Sequence, residues 1–152
     1  MTRPIVQFND DDMFILGNIA ALAIRSGAGE AGLPLLRCVQ KERPGNAAAF
    51  IMESLYLHSI GKTVSAIEFL ENSNAFSAEK NSDEALAFHL MLLHEDKQFN
   101  RVIHLGEAYL SEGLLESEVA INTVNILIEN CHSVLSGQEN GPDAQYAAGE
   151  QS

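Results

Sequence analysis

The fifteen residues from Tyr56 to Leu70 can be laid over those from Met91 to Leu105 with their apolar and charged positions in step. Leu57 falls on Leu92, Lys62 on Lys97, Val64 on Phe99, Ile67 on Val102 and Leu70 on Leu105, an offset of 35 residues that also sets Arg101 on Ala66. In the other direction an offset of 34 carries Gly61 onto Gly27, Ile67 onto Leu33, Phe69 onto Leu35 and Leu70 onto Leu36. Repetition at a spacing of about 34 residues is the mark of helical hairpins in series, in which each unit is too small to bury its apolar face alone and must stack on its neighbours. An all-α fold follows.

Turn and cap residues fall where such hairpins need them. Asn9 or Asp10 can cap a first helix, with Asp11 and Asp12 favoured at its positive end, and from Phe14 to Ala23 apolar residues recur at helical spacing. Ser26-Gly27-Ala28-Gly29 stops it; a second helix is expected to start between Glu30 and Pro34, with the proline in its first turn. Arg43-Pro44-Gly45-Asn46 closes the hairpin. The second hairpin pairs a helix over Ala47 to Ile60 with another over Thr63 to Asn72, Gly61 turning the chain between them. After a loop from Ser73 to Ser82, Asn81 and Glu84 are spaced as a capping box for a fifth helix. That helix, Ala85 to Leu93, is apolar on nearly every side and must be covered on nearly every side. Glu95-Asp96 is its turn, the sixth helix carries Phe99 to Leu110, and a seventh from Leu115 to Val134 is expected to close the stack. The predicted architecture is a tetratricopeptide-like right-handed array of three helical hairpins plus a C-terminal covering helix. It occupies residues 10–135, between a flexible arm over 1–9 and a disordered acidic tail over 136–152, too poor in apolar residues to order itself.

Composition narrows the function. A net charge of −12 over 152 residues excludes a general nucleic-acid binder, since nothing neutralises phosphates, and favours a basic or amphipathic partner. Cys38 and Cys131 are far apart and form no Cys-x-x-Cys spacing, so they read as buried free thiols of a reducing cytoplasm. The acidic N-terminal stretch Asn9-Asp10-Asp11-Asp12 opposes an export signal, and no apolar run approaches the roughly 18 residues of a membrane span. Five histidines invite an enzyme reading. However, His89 and His94 are five apart and point to different sides of a helix, no His-Glu-x-x-His arrangement occurs, and His94-Glu95-Asp96 reads as a hydrated turn. No phosphate-binding loop, nucleophile elbow or dinucleotide turn is present either. The expectation is a protein that is not an enzyme, with no catalytic residue, cofactor or metal.

Threading the hairpins places Phe50, Leu57, Ala66 and Leu70 at packing positions. Ile51, Leu55 and His58 of the second unit, with Leu86, Leu90 and Leu93 of the third, are then expected to line a concave, protein-binding groove. Such a groove is apolar, without the Lys, Arg and Asn that would hold a terminal carboxylate, and it fits an amphipathic helix gripped through hydrophobic anchors.

The run Arg43-Pro44 through Ala47-Ala48-Ala49-Phe50, then Leu57, Gly61, Ala66-Ile67 and Leu70, followed by Ala87-Phe88-His89-Leu90-Met91-Leu92-Leu93-His94-Glu95-Asp96-Lys97-Gln98-Phe99, resembles the tetratricopeptide-like chaperones of bacterial type III secretion systems. Among these it is similar to the YscG/PscG needle-chaperone group and the related Hrp proteins. The resemblance covers roughly residues 13–115. It implies a cytoplasmic bacterial chaperone that, with a small helical co-chaperone, holds the amphipathic C-terminal helix of the needle subunit in its groove and prevents premature polymerisation. Two alternatives stay open on the same scaffold: a chaperone of a secreted translocator, and a regulatory adaptor for another protein. Without cargo, an uncovered apolar groove also invites self-association.

Overall fold

The computed structural model describes residues 10–139, with side-chain surroundings for residues 17–137. The expected arm over 1–9 and the tail beyond Glu139 lie outside the described residues. Seven α helices follow one another among those described: α1 (Asp10–Arg25), α2 (Gly29–Glu42), α3 (Ala48–Ser59), α4 (Thr63–Asn72), α5 (Ser82–Glu95), α6 (Phe99–Ser111) and α7 (Glu118–Glu139), with a 3-10 turn at Ala75–Ser77. The fold is all-α. The chain divides into two compact units, residues 1–85 and 86–152, taken here in turn.

In the first unit α1 packs on α2, α2 on α3 and α3 on α4. Small residues at the crossings let the backbones close up. A Cβ added at Gly32 would stand 3.1 Å from the Ala23 Cβ and 3.3 Å from the Ala20 carbonyl oxygen, while in the next hairpin the Ser54 hydroxyl donates across the crossing to the Ala66 carbonyl at 2.9 Å. Ala20, Leu36 and Ala49 form a buried cluster joined by Ile24, Leu33, Val39 and Met52. The connectors at the far ends of the hairpins are tied together. The Ala47 amide donates to the Lys80 carbonyl at 2.9 Å and the Lys80 amide to the Gly45 carbonyl at 3.0 Å. The Asn46 carboxamide oxygen accepts from the Ala48 amide, beginning α3, and from the Asn81 side chain at 2.8 Å.

In the second unit α6 packs on α7. Gly106 lies against Val124 and Ile128, so close that a Cβ there would meet the Ile128 side chain at 3.0 Å. Val102, Ala120, Val124, Ile128 and Cys131 are buried. Ser117 starts α7, its hydroxyl accepting from the Ala120 amide at 3.3 Å.

The repeat is most visible at the turns. After α1, the Gly27 amide bonds to the Ile24 carbonyl and the Ala28 amide reaches back to Ala23 at 2.7 Å. After α3, Gly61 bonds to His58 and Lys62 to Leu57; after α5, Lys97 bonds to His94 and Gln98 to Leu93. These are the paired bonds of a Schellman cap, whose first residue outside the helix takes a left-handed conformation. Gly27, Gly61 and Lys97 accordingly have φ of 85°, 81° and 62°.

These turns correct the sequence alignment. Helices α3 and α5 begin 34 residues apart but end 36 apart, because α5 has 14 residues where α3 has 12; the offset of 35 averages the two. Counted from the turn, Lys97 matches Gly61, and Val102 rather than Arg101 matches Ala66. Burial agrees, since Ala20, Ser54 and Leu90 are all 0% exposed, and Gly32, Ala66 and Val102 are all buried. Four further expectations change. The third turn is Asp96-Lys97 rather than Glu95-Asp96. Asn81 does not act as a capping-box residue, since its φ is 62° and its side chain donates to Asn46. Helix α2 starts at Gly29, which puts Pro34 inside it, where the missing N–H removes a bond to the Glu30 carbonyl. Helix α7 runs on through Glu139, so residues 136–139 continue a helix rather than begin the tail.

Candidate protein-binding site

Helix α3 is the element that both holds the first unit together and carries the sequence-predicted stripe. Its buried residues are Ala49, Glu53 and Ser54, two of them polar. Both polar groups are paired. Ser54 bonds to α4 as described, and the Glu53 carboxylate, with only 7% of its side chain exposed, accepts from the Arg37 guanidinium of α2 at 3.3 Å. Gln40 of α2 donates to the Ala49 carbonyl at 3.2 Å, and Tyr56 of α3 lies directly over Gly29, leaving no room for a Cβ there. Since the polar side of α3 faces its neighbours, its aliphatic residues are left half-covered. Ile51, Leu55 and His58, at i, i+4 and i+7, share one helix face and are half-buried. The His58 Nδ1 lies 2.9 Å from the Thr63 hydroxyl, which fixes the ring at the end of α3.

The other predicted half of the groove is placed differently. Leu86, Leu90 and Leu93 also share one face of α5, but they are 5%, 0% and 0% exposed. They serve as core and offer a ligand no surface. The reason is the one that made α5 conspicuous as sequence: a helix apolar all round has to be covered all round, and apolarity alone does not say which side stays open.

Two of the five histidines, His89 and His94, make side-chain contacts within the second unit. His89 is 2% exposed with Nδ1 3.4 Å from the Tyr109 hydroxyl. His94 Nε2 is 2.6 Å from the Asn130 carboxamide oxygen, and its ring meets Phe99 edge-on with centroids 5.3 Å apart. Among the described residues no three His, Cys, Asp or Glu side chains gather as metal ligands. Burial pushes the Cys131 thiol above its ordinary pKa.

Sequence reading missed a cleft of about 650 Å³ in the first unit. Its lining combines the apolar Leu36, Val39 and Met52 with the charged Arg43, Glu79 and Lys80. Its size suits a side-chain cluster or a small molecule. The Arg43-Pro44-Gly45-Asn46 turn contributes Arg43, Gly45 and Asn46 to the lining, but a turn motif does not reveal the space beside it.

Comparison of the chain with protein-family models, with curated proteins and with solved structures finds no match in any of the three. No helix among the described residues is long and apolar enough to cross a membrane.

Proposed function

We propose that this chain is a tetratricopeptide-like binding scaffold acting as a cytoplasmic type III secretion chaperone. In this reading it holds the amphipathic C-terminal helix of a needle subunit against the face of α3 that carries Ile51, Leu55 and His58, in company with a small helical co-chaperone. The observation that carries the scaffold is the shared turn: left-handed caps at Gly27, Gly61 and Lys97, followed at equal distances by buried Gly32, Ala66 and Val102. Serial hairpins of this kind work by presenting a surface to other polypeptides. The cargo assignment is supported by the family resemblance and by the aliphatic stripe, which suits helix-in-groove recognition. Leu86, Leu90 and Leu93 are left out of the contact surface because they are buried.

Fully covering Ile51 and Leu55 would contribute at most about 1.5–3 kcal/mol each, before ordering costs. The mechanism is physical, since a subunit whose assembly helix is occupied cannot polymerise. The excess of acid keeps such a complex soluble. Co-expression with the needle subunit and co-chaperone of the same secretion system tests the reading. The wild-type chain should co-purify with the subunit, and Ile51→Asp with Leu55→Asp should abolish this while circular dichroism stays helical. Retained co-purification by the folded double variant refutes the α3 surface; co-purification with a large membrane-active polypeptide instead of the needle subunit moves the chain to the translocator chaperones.

A further inference from the structure

The cleft of the first unit carries the opposite charge balance to the chain around it. Asp and Glu outnumber Lys and Arg by 21 to 9 in the sequence, yet among its described lining residues Arg43 and Lys80 stand against the single carboxylate of Glu79. The two cations are distant in sequence and are brought to one turn by the bonds between connectors. Lys80 pairs with Asn46 in an isolated parallel bridge, its amide bonded to the Gly45 carbonyl and its carbonyl to the Ala47 amide. The Asn46 amide in turn donates to the Arg43 carbonyl at 3.1 Å. The backbone that carries Lys80 is therefore pinned to the turn that carries Arg43. The Arg43 Nη1 donates to the Glu42 carbonyl at 2.9 Å, which holds the guanidinium at the end of α2.

The remainder of the lining is mostly aliphatic. Leu36 is buried, and Val39 and Met52 are half-buried against the cluster of Ala20, Leu36 and Ala49. Gly45 lines the same space, and a Cβ added there would meet nothing within 4 Å. A cavity of about 650 Å³, walled by hydrocarbon with a few polar groups, has the form of a small-molecule site. We propose that this cleft binds a small amphipathic anion, an unbranched aliphatic carboxylate, with its head group on Arg43 and Lys80 and its chain over Leu36, Val39 and Met52. A guanidinium fork matches a carboxylate through two parallel hydrogen bonds, and the ammonium adds a second positive charge. Glu79 opposes a doubly charged head group, so the site selects a monoanion. The cleft takes no residue from the stripe of Ile51, Leu55 and His58. It neither depends on the cargo reading nor falls with it.

The test titrates the full chain, isotope-labelled at its methionine methyl groups, with hexanoate, octanoate and decanoate, read by NMR with Met52 assigned through Met52→Leu. The Met52 signal should move and saturate while that of Met91, in the second unit, stays in place. Each added methylene should tighten binding about twofold to fourfold. Octylammonium and octanol should each bind about fivefold or more weakly than octanoate, a comparison that decides the head group on the wild-type chain without any variant. Arg43→Gln with Lys80→Gln should weaken octanoate binding about fivefold or more, with circular dichroism still helical, and leave octanol binding unchanged. A Met52 signal that does not move, octylammonium binding as tightly as octanoate, or equal octanoate binding by the folded double variant overturns the proposal. So does equal movement of the Met52 and Met91 signals, because the carboxylate would then be coating any apolar surface.

Discussion

Lys97 holds a position that Gly27 and Gly61 hold in the earlier turns, with φ of 62° and a full side chain. A left-handed conformation costs a residue with a Cβ about 1–2 kcal/mol, part of which glycine returns through its freer unfolded chain. Lys97→Gly should therefore raise stability by about 0.5–1 kcal/mol, seen as a higher urea midpoint at unchanged slope, and Gly61→Ala should lower it by a similar amount. The same residue explains why one turn was misplaced in the sequence. Glycine announces a left-handed cap, so Gly27 and Gly61 were legible; lysine does not, and Glu95-Asp96 was the more turn-like pair. The cysteines differ in a way that composition could not reveal, Cys38 being half-buried and Cys131 fully buried with its thiol pKa raised by burial. At pH 8 Cys38 should react with a thiol reagent while Cys131 stays protected, since both access and thiolate fraction are reduced there. Equal rates in the folded protein would contradict the packing of α7.

Among the elements, the α2–α3 contact is the most demanding of shape. A Cβ at Gly29 would enter the space of the Tyr56 ring, and overpacking of this kind costs about 1–3 kcal/mol. Gly29→Ala should destabilise the protein by that amount. In a Tyr56→Ala background the same change should be neutral or favourable, because alanine is the better helix former. A denaturant double-mutant cycle reads the difference; additive effects would mean that the ring does not rest on Gly29. At this scale the sequence was informative wherever period and punctuation agreed, as for α4 from Thr63 to Asn72. It was uninformative where tertiary contacts decide. Nothing in Leu86, Leu90 and Leu93 distinguishes a groove wall from a core. Ser54 and Glu53 look like a solvent-facing pair, yet they are buried on α3 because Ala66 and Arg37 supply their hydrogen bonds. Ser136 and Gly137 read as the start of a tail, but α7 carries them along.

For the whole molecule, charge and repetition are the features with functional weight. No Lys or Arg follows Arg101, so the C-terminal third of the chain is acidic throughout. Such a surface keeps a complex with an apolar cargo in solution and disfavours contact between copies. The central claim is that this scaffold suppresses assembly of a needle subunit by covering one helix of it. Light scattering of the purified subunit, triggered to polymerise with and without an equimolar amount of the chain and co-chaperone, tests that claim most directly. The account predicts that the wild-type chain suppresses the rise in scattering and that the folded Ile51→Asp/Leu55→Asp variant does not. An unchanged polymerisation rate with the wild-type chain, or equal suppression by the variant, would contradict it.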